Sequence, residues 1–141
     1  MKKYLIILFL FLSLTSNVSA ETKRIIVGNQ DAKITIIAYE SLTCNHCANF
    51  HEEVYPKLKK DYIDTGLAKI EFRHFPLDLA ALNAAKISQC KNNQSLKILE
   101  SLYSNQQTWV KGNTIEEVNE SLKKFIQNEG FKIDFEKCIN N

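Results

Sequence analysis

The sequence predicts an α/β fold in which two strands, a helix and a third strand are followed by a cluster of helices. Three observations carry that prediction. The run Ile34-Thr-Ile-Ile-Ala-Tyr39 is continuously apolar and rich in isoleucine, which suits a strand covered on both faces. Residues 67 to 75 alternate, with Leu67, Lys69, Glu71 and Arg73 set against Ala68, Ile70, Phe72 and His74. Beyond Leu77 the apolar residues recur at helical spacing instead.

The chain opens with the three parts of an export signal. Lys2 and Lys3 supply the positive start, Tyr4 to Leu14 the apolar core, and Val18-Ser19-Ala20 a small-residue cleavage site. An apolar core of that length falls well short of the roughly 20 residues that span a bilayer, so cleavage after Ala20 is expected rather than anchoring. No cysteine stands at the cut to take a lipid. Removing residues 1–20 from the 141 leaves 121, which suits one domain. The chain has 18 Lys and Arg against 16 Asp and Glu, and two of the lysines leave with the signal, so the remainder is neutral. A nucleic-acid footprint is not supported.

Next come the elements in order. Arg24-Ile-Ile-Val27 reads as a short strand ended by Gly28-Asn29-Gln30-Asp31, and Lys33 to Tyr39 as the second. A helix should begin at about Cys44 and run to about Asp64, with a kink at Pro56, which lacks a backbone donor. Gly66 closes it, and the third strand runs from Leu67 to Phe75, stopped by Pro76. Strand, helix and strand in so short a span make a βαβ unit with a right-handed crossover. Leu79, Leu82 and Ile87 then mark a helix ending near Cys90, with a turn over Lys91-Asn-Asn-Gln94. Leu96, Ile98, Leu99 and Leu102 mark the next one. Thr114-Ile-Glu-Glu117 has the form of a capping box, opening a helix through Val118, Leu122 and Phe125 to Gly130. Asp134 to Cys138 makes a last helical turn. The chain divides into the signal (1–20), an α/β part (21–76) and a helical part (77–141).

Four cysteines remain after the signal, in an exported and oxidising setting where thiols pair. Cys44 and Cys47 are close enough for a local bridge, which leaves Cys90 and Cys138 for each other. The first pair carries the chemistry. Cys44 sits where a strand turns into a helix, at the end that presents unpaired N–H groups and positive dipole, and these favour its thiolate. Cys47, one turn further in, is more shielded. Cys44 is therefore the expected nucleophile and Cys47 the partner that closes the disulfide. His46 adds a donor or a positive charge near the Cys44 sulfur. The better the thiolate is held, the more readily the protein's own disulfide is reduced. Strong oxidants of this kind lie about 150 mV above thioredoxin, or about 7 kcal/mol.

Other readings of the same residues carry less weight. A structural disulfide closing so small a loop contributes little stability. Cys44, His46, Cys47 and His51 are metal-ligand types, but structural zinc needs a second, distant ligand pair, and the distant cysteines stand singly. Covalent haem needs Cys-x-x-Cys-His, and Ala48 follows Cys47. No metal site is expected. His51 and His74 read as surface or packed polar residues rather than ligands. Trp109 and Tyr103 read as core or cap aromatics of the helical cluster.

Ser41-Leu-Thr-Cys-Asn-His-Cys-Ala-Asn-Phe-His51 resembles the active-site run of the DsbA-like thioredoxin-fold proteins, exported thiol–disulfide oxidoreductases whose motif is commonly Cys-Pro-His-Cys. The resemblance continues through Phe72-Arg-His-Phe-Pro-Leu-Asp78, Ala84-Ala85, Cys90, Gln106-Gln-Thr-Trp109, Gly130-Phe131, Phe135 and Cys138. It implies a partial thioredoxin-like fold with an inserted helical domain, and Cys44 and Cys47 as the redox pair. In some relatives the positions of Cys90 and Cys138 form a second disulfide. It also implies partners, namely thiol-containing client proteins and a membrane reoxidase, a periplasmic location, and no dissociable cofactor.

Three departures from the family pattern stand out. Asn45 takes the place of the usual proline, a position that tunes redox potential. Relatives often carry a buried glutamate at the position of Ala38, whereas here the acid is Glu40, which strand alternation returns to the same face. The family's closing β-hairpin, its cis-proline loop and its last helix have no counterpart before Asn141. A strand at 33–39 without that hairpin has an unpaired edge, open to self-association or to a complementing fragment. The rival expectation is an inactive truncated fragment or a binding module.

Overall fold

The computed structural model describes residues 24–91 and 93–140; the expected signal, 1–20, lies outside them. Three strands form one sheet in the order β1-β3-β2. β1 (Ile25–Gly28) runs antiparallel to β3 (Ala68–His74), with Ile25 opposite Phe72. β2 (Ile34–Glu40) runs parallel to β3, from Ile34 opposite Ala68 to Glu40 opposite His74. β1 has to stop at Gly28. Its φ of +109° suits glycine, and a Cβ there would stand 2.8 Å from Cγ2 of Ile63. The Asn29 side chain then accepts the Asp31 N–H at 3.0 Å and turns the chain.

β2 departs from expectation. It is an edge strand, and only the face of Ile36, Ala38 and Glu40 is packed. On the other face Ile37 and Tyr39 are 43% and 61% exposed. The helices pack on one side of the sheet, and among the described residues no strand pairs with the outer edge of β2. Continuous apolar character therefore did not report two covered faces here. On the open face Arg73 donates to Glu71 (2.8 Å) and to the Tyr39 hydroxyl (2.8 Å), which leaves Glu71 buried on the face that alternation had made polar.

The expected single helix over 44–64 is a composite. α1 (Asn45–Asn49) leads into a π turn (Phe50–Val54), then α2 (Tyr55–Leu58) and a second π turn (Lys59–Ile63). Pro56 falls in the first turn of α2, where its missing N–H leaves no hydrogen bond unmade. The wider π turn ahead of it sets that register, so the irregularity foreseen at Pro56 lies one turn earlier.

The rest is helical. α3 (Leu79–Gln89) is capped by Asp78, whose carboxylate accepts the Ala81 N–H at 2.7 Å. α4 (Ser95–Ser104) is followed at once by a single turn, α5 (Gln106–Trp109), that the sequence pattern did not single out. α6 (Ile115–Asn128) is capped by Thr114, which accepts the Glu117 N–H; the Glu117 carboxylate takes the N–H of Asn113, so the box closes one residue early. α7 (Phe135–Ile139) is capped by Asp134. Cys90 and Cys138 are bonded, their Cα atoms 5.7 Å apart across a sequence separation of 48, a closure that constrains the unfolded chain by about 4 kcal/mol in the chain-entropy view.

One core joins the α/β part to the helices, with Ile70 and Phe72 of β3 meeting Leu42, Tyr55, Ile87, Leu99, Leu102 and Trp109. His74, at the end of β3, is packed and polar. The single proton of Ser88 goes to the Ala85 carbonyl (2.8 Å), so the His74 Nε2–H donates to Ser88 (2.9 Å). Burial pushes this imidazole down to about 4 and keeps it neutral.

Candidate functional site

β2 ends at Glu40, and the four residues that follow carry the chain to the start of α1. This loop is tied from both sides. Leu77 N–H donates to the Ser41 hydroxyl (3.3 Å), and the Thr43 hydroxyl donates to Asp78 (2.7 Å), the residue that also caps α3. From the helical cluster, the buried Gln106 side chain donates to the carbonyls of Leu42 (2.8 Å) and Cys44 (3.1 Å). Cys44 stands at the N-cap of α1 with extended backbone angles (φ −83°, ψ 117°), and no side chain caps the helix. The orphan N–H groups of the first turn are therefore free to face its sulfur.

The two sulfurs differ in acidity. The Cys44 thiol is held below its ordinary range, first by a hydrogen bond from the backbone N–H of Cys47; the Cys47 side chain and the His46 N–H add to this, against some opposing burial. The Cys47 thiol is pushed up, first by burial, with the Cys44 and Glu40 charges acting in the same direction. The two cysteines stand side by side, unbonded, where spacing places a local pair. Two half-buried sulfurs, one acidified and the other pushed toward its thiol form, make an arrangement suited to attack by one and closure by the other.

Behind the pair lies a buried acid. Glu40 lies on the same face as Ala38, its side chain only 7% exposed, and its Oε2 is 2.8 Å from Nε2 of His51, itself 5% exposed. The His51 ring stacks on Tyr103 of α4, with centroids 4.1 Å apart and planes 15° from parallel. The Tyr103 phenol is pushed up, first by burial and then by the Glu40 charge.

The structure thus brings Cys44, Cys47, Glu40 and His46 together. His46 is exposed and contributes its backbone N–H, while Asn45, also exposed, accepts a 3.4 Å hydrogen bond from Gln107. Cys90 and Cys138 hold the helical cluster elsewhere. Among the described residues no three His, Cys, Asp or Glu side chains are grouped to hold a metal ion, and His51 is turned toward Glu40. No helix among them is long and apolar enough to cross a membrane. Gln106, Asp78 and the His51–Glu40 pair escaped sequence reasoning. Two signals were available for Gln106: a polar residue between the apolar Leu102 and Trp109, and its place in the family-like run Gln106-Gln-Thr-Trp109.

Comparison with known proteins places these features in context. A family described as thioredoxin matches residues 20–141. A Rickettsia conorii protein named as a protein-disulfide oxidoreductase is 30% identical over 120 residues, which is 82% of this chain and 42% of that protein. The crystal structure of Wolbachia pipientis alpha-DsbA1 superposes with a TM-score of 0.73 at 34% identity, covering 88% of this chain and 63% of that one. A protein-disulfide isomerase from Novosphingobium aromaticivorans (TM-score 0.74, 21% identity, 84% of this chain and 71% of that one) shares the fold. The chain spans about two fifths of the length of the curated Rickettsia relatives that it matches over 120 residues.

Proposed function

Because this chain belongs to the DsbA-like thioredoxin-fold family, we propose that it exchanges disulfides with the thiols of exported proteins, using Cys44 and Cys47 as its redox pair. One observation carries the reading: the Cys44 thiol is acidified by backbone N–H groups at a helix start while Cys47 beside it is pushed the other way. In the oxidised protein a client thiolate attacks the Cys44 sulfur. A mixed disulfide forms, the Cys44–Cys47 bond breaks, and Cys47 leaves with the electron pair and takes up a proton. A second client thiolate then attacks the client's own sulfur and expels Cys44 as a thiolate. The client gains a disulfide, and the protein holds the two electrons.

In this reading Asn45 and His46 tune the Cys44 thiolate, and the Glu40 charge disfavours the Cys47 thiolate. Residues 21–76 carry the redox pair, and residues 77–141 cap it, with Cys90–Cys138 as the cap's structural bridge. The setting is the periplasm, reached through the signal at 1–20, and a membrane reoxidase restores the disulfide. A second reading rests on the exposed edge of β2, where Ile34, Ile37 and Tyr39 face outward: a second copy or a complementing fragment pairs there, with or without redox activity.

The test is transfer. Oxidised protein mixed with a reduced two-cysteine peptide should yield peptide disulfide one-for-one with the appearance of Cys44 and Cys47 thiols. A peptide that stays reduced while the protein keeps its bridge rejects the reading.

A further inference from the structure

We infer that Asp78 is a positioning residue for Cys44: its carboxylate, seated at the start of α3, holds the Thr43 hydroxyl and so fixes the chain entering α1 on which the Cys44 sulfur meets the helix N–H groups. The inference rests on the redox reading above and adds a residue to it.

The loop from β2 to α1 is anchored alternately on its two sides. Gln106 of α5 donates to the carbonyls of Leu42 and Cys44. The hydroxyls of Ser41 and Thr43 turn the other way, to the connection between β3 and α3. There the donors are settled by count. The single proton of Thr43 goes to Oδ2 of Asp78 at 2.7 Å, so in the 3.2 Å contact between the two hydroxyls Ser41 donates. Ser41 in turn accepts the Leu77 N–H at 3.3 Å. Leu77, Ser41, Thr43 and Asp78 thus form one chain of hydrogen bonds that runs a single way and ends on a charge, an order in which each bond strengthens the next.

The carboxylate is placed by α3 rather than by the loop it holds. Its Oδ1 accepts the Ala81 N–H at 2.7 Å, and the Asp78 carbonyl accepts the Leu82 N–H at 3.1 Å. Capping α3 asks for one side-chain oxygen and is served as well by serine. The second oxygen, the one that reaches Thr43, is what aspartate adds.

Thr43 directly precedes the nucleophile. The Cys44 N–H donates to the Ser41 carbonyl at 3.1 Å, and the Cys44 carbonyl accepts the N–H groups of Cys47 and Ala48, each at 3.1 Å. The extended backbone of Cys44 is therefore set by a turn over residues 41–44 on one side and by α1 on the other. With Thr43 released, that turn loosens and the sulfur drifts from the N–H groups that favour its anion. The charge of Asp78 works in the opposite sense, since a carboxylate near a thiolate disfavours it. Position and charge therefore predict shifts of opposite sign when Asp78 is replaced, and one measurement separates them.

That measurement is the pH profile of the bimolecular reaction of the reduced protein with oxidised glutathione, whose midpoint reports the Cys44 thiolate. Thr43→Val, close in shape but without the hydroxyl, should raise the midpoint by about 0.5 unit or more, leaving about threefold less thiolate at a pH below it. Thr43→Ser, which keeps the hydroxyl, should stay within about 0.2 unit of the parent. Asp78→Ser still caps α3 and should raise the midpoint as Thr43→Val does, and the double variant should go no further than either single one. The groups that act on the Cys44 sulfur, Cys47 and His46 in α1 and Glu40 in β2, are the same in every variant. An unchanged midpoint in Thr43→Val overturns the inference, and so does one that fails to rise in Asp78→Ser or an additive double variant. If Asp78→Ser does not fold, the Thr43 variants decide: a rise in Thr43→Val that is absent in Thr43→Ser supports the inference, and an equal rise in both overturns it. The parent protein reports separately. No glutathione adduct on its Cys44 rejects the redox reading itself, whereas a normal reaction with an unshifted Thr43→Val rejects only the role of Asp78.

Discussion

Replacing Cys47 with serine should stop client oxidation and leave the protein caught as a mixed disulfide through Cys44, with turnover falling by about a thousandfold or more. The reasoning follows from the two sulfurs. Cys44 keeps its place at the N-cap and the backbone N–H groups of positions 47 and 46, so its thiolate persists and still attacks disulfides. The group that would resolve the adduct is gone. Cys44→Ser should lose turnover equally but form no adduct, because Cys47 is shielded and its thiol is pushed up by burial. Mass spectrometry after mixing with oxidised glutathione distinguishes the two. An adduct on Cys47 in the Cys44→Ser protein, or none on Cys44 in the Cys47→Ser protein, would reverse the roles assigned here.

The second large effect is on stability. Trp109 is fully buried, and its Nε1–H donates to the Leu102 carbonyl at 2.9 Å. Trp109→Ala should cost about 3–5 kcal/mol in urea unfolding, from lost burial and the cavity left behind. The same substitution should reach the redox site. Trp109 anchors the single turn that carries Gln106, and Gln106 holds the Leu42 and Cys44 carbonyls. With that anchor gone the loop at 41–44 loosens, and the acidity of Cys44 should fall toward that of a free thiol. A loss under about 1 kcal/mol would show that α5 is not an anchor.

Much of this architecture was legible from residue patterns because local chemistry decided it. Thr114 and Asp134 cap the helices they precede, Gly28 ends β1 through a backbone angle suited to glycine, and Cys90 and Cys138 pair with each other once Cys44 and Cys47 are set aside. The misses are tertiary. Ile34 to Tyr39 reads the same whether helices cover one face or two, so the exposure of Ile37 and Tyr39 depended on what packs against the sheet. The π turns at Phe50–Val54 and Lys59–Ile63 leave an apolar spacing close to that of an α-helix, and only Pro56 hinted at them.

The site divides along the same line. Cys44, Cys47 and the acidifying helix start lie within a few residues of one another, so spacing exposes them. His51 and Glu40 are eleven positions apart, and Gln106 lies more than sixty residues beyond the loop it holds. Those contacts come from the packing of α4 and α5 onto the α/β part, and no local pattern encodes them. His51 shows the difficulty well, since its neighbours in sequence are ordinary helix residues and its place in the site comes from Glu40 and Tyr103.

The central claim is that the peptide groups opening α1 hold one sulfur as an anion. Titration of the reduced protein by the ultraviolet absorbance of its thiolate tests it directly. The account predicts one thiolate, removed by Cys44→Ser and retained in Cys47→Ser, with a midpoint below the roughly 8.5 of an unperturbed cysteine. Because the folded value is lowered, the reduced protein should be most favoured above the free-thiol pKa and should lose that advantage as pH falls through the lowered midpoint. A Cys44 that ionises no more readily than free cysteine would contradict the account.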